Sequence, residues 1–429
     1  MSPKSPDPDP LRVDLTDVRH AWFVPWNVTR PASGSPIRSY HLVRDVARAR
    51  GFVLLMPVEQ TGVPSPYPPL ERVDVREYPR GRFPRLRGRL IMNPASRSAR
   101  GPSLAAIARR LADSGQVTSQ SWLVCDSAYL AAPLLWLART TGARLVYSSH
   151  NCETNVWRQL LACSRGPADR LESWLALLEI RSQERSLVRA AGAVWCCSER
   201  DADLMARLTP AAAEKTLVVA NGVNGSVVRL QPTARIVPGH LCHVGYLGTS
   251  QSYEASAFLI REVMPRVRSA VPDVSLTIAG RDARPALHQM AGDDLEIISP
   301  FGDPNEVLGR ARLSVVPLLR GGGTRLKILE SLAAGRPVVS TAKGAEGLDL
   351  ASLSGVTVAD GPAALAAAIV EELRRPLDPS RAEDLRARVL SRYEWDTITA
   401  RLLKTMGERF GSPWLEPDRG VTPDRSQEG

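Results

Sequence analysis

The sequence predicts an α/β protein built from two doubly wound, Rossmann-like domains that face a central cleft. Apolar, strand-like segments alternate with helix-like segments along most of the chain, a pattern typical of parallel sheets covered by helices. The 429 residues exceed what one compact core organises and suggest two domains of about 200 residues each. A stretch of low periodicity at 225–238 separates two halves of similar pattern, so we expect the interdomain linker there.

The first domain is expected at 19–224. Its strands are predicted from apolar runs bounded by turn-forming residues, and its helices from apolar residues spaced three and four apart. The segment PASGSPIRS at 31–39 is predicted to be a loop between the first strand and the first helix. The predicted strands lie at 20–27, 52–58, 121–126, 143–149, 193–198 and 216–222, and the predicted helices at 40–50, near 128–140 and near 167–190.

The second domain is expected at 239–393, followed by a closing helix at 394–410. Both ends of the chain, 1–18 and 411–429, are polar and contain several prolines, so we expect them to be disordered. The predicted strands lie at 241–248, 274–280, 295–299, 311–318 and 336–341, with a helix at 253–269 and two helices between Pro379 and Phe410.

Composition excludes several classes of protein. No apolar run reaches the ~18 residues of a membrane-spanning helix, and the first residues lack the apolar core of a signal peptide. We therefore expect a cytoplasmic protein, either free or peripheral on the inner face of the membrane. The six cysteines form no Cys-x-x-Cys pair, so we expect buried, reduced thiols rather than disulfides or a zinc site.

The net charge of +10 comes almost entirely from arginine, because only five of the 55 basic residues are lysines. Such a bias is compositional and makes single arginines weak evidence, whereas a lysine goes against it. Seven arginines without an acid occur at 79–100. We read Arg80–Arg100 as a solvated face or, because apolar residues are interleaved, as a surface for anionic lipid. Nucleic-acid binding is disfavoured, since stacking aromatics and known modules are missing.

A glycine-rich segment, GGGTRLKILESLAAGRPVVSTAKGAEGL, is the strongest functional signal. Its glycines at 321–323 allow close approach of a ligand to the backbone, and Thr324 can cap the following helix. Arg325 and Lys327 fall in the first helical turn, where cations are unfavourable unless an anion is bound. This conflict predicts a phosphate, in a nucleotide or polyphosphate site.

The predicted topology places this segment on the cleft. It follows the strand at 311–318, and ligands of doubly wound sheets bind at the carboxyl ends of the strands. In the first domain, the loop with Gly34, Ser35 and Arg38 follows the first strand and is expected to contact a diphosphate or an acceptor. His150 follows the strand at 143–149 and faces the same space, and Glu153 is a further candidate.

These residues resemble a known family, the GT-B-fold retaining glycosyltransferases of glycosyltransferase family 4 (group 1), which use nucleotide sugars. The resemblance extends over 20–410 and is most specific at 311–348, which follows the family's donor-site pattern. It implies that the final helix crosses back onto the first domain. Weaker similarity occurs at 34–51, 146–153, 193–205, 217–224, 244–255 and 275–281.

The resemblance assigns roles within the glycine-rich segment. The second of the family's two donor-site glutamates matches Glu330 and implies ribose binding, whereas the first falls on Gly322. Gly321 and Gly322 then belong to the loops around donor sugar and acceptor. The stretch VGYLGTSQSYEA, where other branches carry diphosphate-binding cations, has none. Gly323, Thr324, Arg325 and Lys327 are therefore expected to bind the diphosphate.

The resemblance further implies that His150 orients donor or acceptor near the reacting sugar, without a metal or other cofactor. The expected activity is transfer of a sugar, with retention, to a glycan, lipid-linked or other hydroxyl acceptor in polysaccharide or cell-envelope glycan synthesis. A nucleotide-sugar epimerase would need catalytic carboxylates from both domains, and no clear set is present. The missing glutamate at Gly322 leaves open a non-catalytic, nucleotide-sugar-binding subunit. The base, sugar and acceptor have no readable code.

Overall fold

The computed structural model describes residues 13–29, 31, 34–57, 67–78, 102–164, 166–322, 326–411 and 414. It contains two sheets in which every pairing between strands is parallel. The predicted α/β architecture of two doubly wound domains is confirmed. Within the described ranges, no helix combines the length and the apolarity needed to span a membrane.

The first sheet has seven strands in the order β3-β2-β1-β4-β5-β6-β7. Neighbouring residues of a strand point to opposite faces, and both faces are apolar. Trp22 packs in one buried cluster and Phe23 in the other, as expected of a sheet with helices on both sides. The strands are β1 His20–Phe23, β2 Phe52–Pro57, β3 Asp74–Tyr78, β4 Trp122–Cys125, β5 Arg144–Ser148, β6 Ala193–Cys196 and β7 Thr216–Val218.

The second sheet has six strands in the order β10-β9-β8-β11-β12-β13. The strand order follows the same pattern as in the first sheet. In each sheet the order of the strands reverses once, between β1 and β4 in the first and between β8 and β11 in the second. Such switch points are where doubly wound sheets bind ligands. The strands are β8 His240–Val244, β9 Ser275–Ala279, β10 Leu295–Ile298, β11 Leu313–Val316, β12 Val338–Ser340 and β13 Val356–Val358.

The helices that cover the first sheet are α1 Gly34–Leu42, continued by a π-helical turn at Val43–Ala47 and by Arg48–Arg50, then α2 Pro102–Asp113, α3 Ala131–Thr141, α4 Glu153–Ala162, α5 Pro167–Ala190 and α6 Glu199–Leu208. Those of the second domain are α7 Ser250–Phe258, continued through Leu259–Val263 and Met264–Ala270, then α8 Pro285–His288, α9 Pro304–Arg310, α10 Leu326–Ala333, α11 Pro362–Arg374, α12 Pro379–Tyr393 and α13 Trp395–Phe410.

Helix α1 begins at Gly34, six residues before the predicted start at Tyr40. The loop prediction for 31–39 was wrong in its second half. Pro36 lies in the first turn, where no backbone N–H is needed and proline is tolerated. Gly34, Ser35 and Arg38 therefore belong to the helix.

Two strands were not predicted. Strand β3 lies at one edge of the first sheet and β13 at one edge of the second. Both are short, and most of their residues are only partly buried or exposed. An edge strand packs against one neighbour only, and these two lack the continuous apolar run that identified the central strands.

The closing helix α13 returns to the first domain, as the resemblance implied. Thr399 Oγ1 donates to Asp45 Oδ2 at 2.9 Å, and Asp396 forms an ion pair with Arg44. The indole of Trp395 stacks on His41, with ring centres 4.8 Å apart and planes 11° from parallel. The last helix of the chain is thus part of the first domain's core.

Parts of both predicted disordered ends are packed. Val13, Leu15 and Val18 are buried in the first domain. Trp414 is fully buried as well, and its ring centre lies 5.2 Å from that of Trp122. The expectation of disorder was wrong for these residues, because their apolar side chains bury against the first sheet. Residues 1–12 and 415–429 lie outside the described residues.

All six cysteines are free. Five of them are buried, as expected of thiols in strands and helix starts. Cys163 is exposed after the end of α4, which corrects the expectation that every thiol is buried.

Candidate functional site

The switch points of the two sheets face each other across the cleft, and the chain makes direct contacts there. Gly321 N, in the glycine-rich loop after β11, donates to Gln159 Oε1 of α4 at 3.2 Å. A Cβ at Gly34 would lie 3.6 Å from Leu326 Cδ1, so the starts of α1 and α10 are adjacent. The structure therefore places Gly34 of the first domain and Gly321 of the second, both predicted site residues, in the contact region between the domains.

The geometry of the loop favours glycine at two positions. Gly321 has φ +123°, a conformation that favours glycine. A Cβ at Gly322 would lie 3.0 Å from Val156 Cγ2 and 3.3 Å from Asn151 Oδ1. Helix α4 thus occupies the space that a side chain at 322 would need. Gly323, Thr324 and Arg325 lie outside the described residues.

Lys327 lies in the first turn of α10 and reaches across to the loop after β8. A Cβ at Gly245 would lie only 2.6 Å from Lys327 Nζ, so the ammonium group sits directly against the backbone of that loop. Burial and the charge of Lys327 lower the pKa of His243 to about 3, which keeps this imidazole neutral. Lys327 therefore sets the charge where β8 and β11 end.

Glu330 lies one turn further along α10. Burial raises the pKa of its carboxyl group to about 7, and Lys327 acts in the opposite direction. Tyr67 of the first domain is close enough that Glu330, after burial itself, raises the pKa of the phenol. Glu330 thus faces the cleft between the domains, where its protonation responds to pH near neutrality.

His150 is buried in the loop after β5. Its ring meets the indole of Trp26 edge to face, with centres 4.9 Å apart. Its Nε2 lies 3.3 Å from Asp126 Oδ1, at ion-pair distance but without hydrogen-bond alignment. The imidazole is therefore positioned by a carboxylate and an aromatic ring.

Asp126 is a site residue that the sequence analysis missed. It follows β4 directly and is fully buried. Ser39 Oγ donates to its second oxygen, and Trp26 Nε1 donates to Ser39 Oγ at 2.9 Å. The available signal was a carboxylate at the end of a predicted strand, which is the position where ligands of these sheets bind.

The structure corrects the prediction for Arg38. Its side chain is fully buried, and Nη1 donates to Val219 O at 2.6 Å and to Asn221 Oδ1 at 3.1 Å. Arg38 therefore ties α1 to the segment after β7, in place of the predicted ligand contact. Gly34 and Ser35 lie at the start of α1 beside α10, and their contact with a ligand stays a prediction.

An ion pair connects the domains at another point of the cleft. Arg200, at the start of α6, pairs with Glu346 in the loop after β12, and Glu346 also pairs with Lys343. Arg200 is largely exposed, whereas Glu346 is mostly buried. Across the described part of the chain, no group of three or more His, Cys, Asp and Glu side chains is arranged to hold a metal ion.

Comparison with known families gives one match in each domain. Residues 33–222 match the model of the glycosyl transferase 4-like domain. Residues 239–375 match the model of glycosyl transferases group 1.

Among curated proteins, the chain is similar to a phosphatidyl-myo-inositol mannosyltransferase of Mycobacterium leprae (strain TN). The two are 25% identical over 193 residues, which is 43% of this chain and 52% of the mannosyltransferase. The match thus spans about half the length of that relative.

Solved structures share the whole two-domain architecture. Sucrose-phosphate synthase of Thermosynechococcus elongatus superposes with a TM-score of 0.66 at 16% identity, over 92% of this chain and 99% of that one. Anabaena Alr3699/HepE in complex with UDP-glucose gives 0.62 at 13% identity, over 91% and 99%. At such low identity, these likenesses establish the predicted GT-B fold.

Proposed function

We propose that this chain, whose residues 33–222 and 239–375 match two glycosyltransferase family models, transfers a sugar from a nucleoside-diphosphate donor to a hydroxyl acceptor, with retention at the anomeric carbon. The second domain binds the donor nucleotide and the first domain presents the acceptor. Retention is supported by the resemblance of residues 311–348 to a family of retaining enzymes.

One observation carries the proposal, the position of Lys327 against Gly245. The ammonium group, two glycine-containing loops and the start of α10 converge where β8 and β11 end. Cleavage of the sugar–phosphate bond places negative charge on the leaving diphosphate. A cation that is already in place stabilises this charge without reorganisation. Arg325, two residues before Lys327 in the sequence, is proposed as a second cation that binds the diphosphate.

Glu330 is proposed to bind the ribose. A carboxylate accepts hydrogen bonds from both hydroxyl groups of a ribose. Glu330 lies one turn beyond Lys327 on α10, the helix that is proposed to hold the diphosphate. Because the ribose hydroxyls donate these hydrogen bonds, binding would favour the ionised form of a carboxyl group whose pKa is raised to about 7 by burial.

His150 and Asp126 are proposed to act at the reacting sugar. The imidazole lies in the first domain, next in sequence to Asn151, which packs against Gly322, and its Nε2 lies 3.3 Å from Asp126 Oδ1. A histidine with an adjacent carboxylate is suited to hold a hydroxyl group and to accept its proton. We assign these residues to orientation of donor and acceptor.

For the acceptor, we propose a glycan or a lipid-linked sugar used in polysaccharide or envelope synthesis. The name of the mycobacterial relative, a phosphatidyl-myo-inositol mannosyltransferase, supports a lipid. The predicted membrane surface at Arg80–Arg100 lies outside the described residues and stays a prediction. Metal independence is also proposed, and turnover that persists in EDTA would support it.

The test is a panel of nucleotide sugars and free nucleoside diphosphates, screened by thermal shift. A bound donor raises the melting temperature by mass action. Release of nucleoside diphosphate with acceptor fractions then measures turnover. A protein that binds none of the panel contradicts the proposal. One that binds a nucleotide sugar but neither transfers nor hydrolyses it is the non-catalytic subunit.

A further inference from the structure

We infer that Asn151 and Glu153 of the first domain form the binding site for the donor sugar, opposite Gly322. The inference rests on the proposed function and deepens it, because it names the residues that select the sugar. Where a side chain at 322 is missing, the facing domain supplies the polar groups. Each step of the geometry points to hydroxyl groups as the ligand.

Asn151 is a polar residue of the first domain that packs against Gly322 of the glycine-rich loop. Its Oδ1 and Cβ lie 3.3 Å and 3.5 Å from the Cβ position of Gly322. The residue is partly exposed, so its amide is accessible from the cleft. Asn151 Nδ2 donates to Glu153 Oε1 at 3.1 Å, which joins the two side chains into one unit.

Glu153 has acceptor capacity to spare. Its Oε2 accepts from Tyr129 OH at 3.1 Å, and Tyr129 OH in turn accepts from Trp157 Nε1 at 3.0 Å. Two ionised oxygens offer about four acceptor positions, and these side-chain bonds occupy two of them. Burial raises the pKa of the Glu153 carboxyl group, and the hydrogen bonds from Asn151 and Tyr129 act in the opposite direction. Its remaining acceptor positions suit hydrogen bonds from hydroxyl groups.

The charges of the two sides assign the ligand. A carboxylate and an amide oxygen repel a diphosphate but accept hydrogen bonds from sugar hydroxyls. Lys327 on the opposite side attracts the diphosphate. A nucleotide sugar that lies along the glycine-rich loop would therefore place its phosphates toward Lys327 and its sugar toward Glu153.

The unit is held rigidly, as a site for a small ligand requires. Glu184, a fully buried carboxylate on α5, accepts from the backbone N–H groups of Glu153 and Thr154 at 2.7 Å and 2.8 Å. It thus caps the first turn of α4 in place of Cys152, which provides no side-chain cap. Further along α4, Gln159 Oε1 accepts a hydrogen bond from Gly321 N.

The experiment measures dissociation constants of Asn151→Ala and Glu153→Gln for a nucleotide sugar and for its free nucleoside diphosphate. The ligand pair is the one selected by the panel. We expect each variant to bind the nucleotide sugar about 10-fold more weakly, since a hydrogen bond to a charged group is lost. Affinity for the free diphosphate should stay within about two-fold.

Asn155→Ala is the matched control, because it removes the same kind of side chain from the first turns of α4, close to Asn151 in sequence, without touching the unit. Equal loss of affinity for both ligands would assign the variants to a general defect and overturn the inference. Unchanged affinity for both would also overturn it, while the proposed function survives. Failure of the wild-type protein to bind any nucleotide would instead contradict the proposed function.

Discussion

The two switch points of this molecule have the same topology but opposite chemistry. In the second domain, the loops after β8 and β11 contribute glycines, among them Gly245, Gly321 and Gly322, and Lys327 of α10 contributes a cation. In the first domain, the loops after β4 and β5 carry Asp126, His150 and Glu153, each held by neighbouring side chains. The same strand order thus supports a cationic half-site in the second domain, around Lys327, and an anionic half-site in the first domain, around Asp126 and Glu153.

This difference explains how a cleft between similar domains distinguishes the two ends of one ligand. Glycine and a cation suit a diphosphate, because phosphate oxygens need close approach and positive charge. Ordered acceptors suit hydroxyl groups, which donate hydrogen bonds. Substitutions that exchange or remove these charges should therefore have effects that differ between the two sides.

Lys327→Ala should reduce turnover more than any other substitution considered, since it removes the cation of the cationic half-site. We expect turnover to fall by about 100- to 1,000-fold with little change in thermal unfolding, because the ammonium group faces the cleft. Release of nucleoside diphosphate measures the effect. Lys404→Ala, which removes an exposed lysine from α13, is the control. Wild-type turnover in Lys327→Ala would remove the basis for the donor assignment.

Asp126→Asn should cause the second largest loss of turnover, and it should change only the anionic half-site. Without the carboxylate, His150 loses the charge that orients it, and we expect turnover to fall by about 100-fold. Nucleotide affinity should stay close to that of the wild type. Asp203→Asn, an exposed residue of α6, is the control. A parallel loss of nucleotide affinity would mean that the two half-sites are not separate.

The pH dependence of donor binding should report Glu330. If the ribose binds the ionised carboxylate, affinity follows its ionised fraction and rises with pH through a pKa of about 7. Between pH 6 and pH 8, we expect the dissociation constant to fall by up to about 10-fold. A nucleotide sugar is the appropriate probe, because its diphosphate has no proton to lose in this range. Titration calorimetry should give a flat profile for Glu330→Gln, and a steep one would assign the dependence to another group.

Arg200→Ala should have the smallest effect. The pair with Glu346 joins the domains outside both half-sites, and Arg200 is largely exposed. Exposed ion pairs contribute about 1 kcal/mol or less, so turnover should change by only about two- to five-fold. A loss comparable to that of Lys327→Ala would show that closure of the cleft, rather than either half-site, limits the reaction.

Much of the fold was predictable because central strands and amphipathic helices have strong local patterns. Lys327 was predicted from the conflict between its charge and the start of a helix, and Glu330 from the resemblance to the family's donor-site pattern. Asp126 and Asn151 were missed because their role depends on partners that lie far away in the chain. Gly322 best illustrates this limit of prediction from sequence. The sequence shows only that a side chain is missing at this position, whereas the structure shows which helix occupies that space.

The crossing of α13 has a consequence for the order of events during synthesis. Trp395, Trp414 and the apolar face of α13 complete a core whose other members, apart from Leu326, lie within the first 220 residues. The first domain therefore stays incomplete on the ribosome until the second domain has been translated and residue 414 has emerged. Unlike domains that fold one after another in the order of translation, the first domain of this protein cannot complete its folding before the second domain has been synthesised.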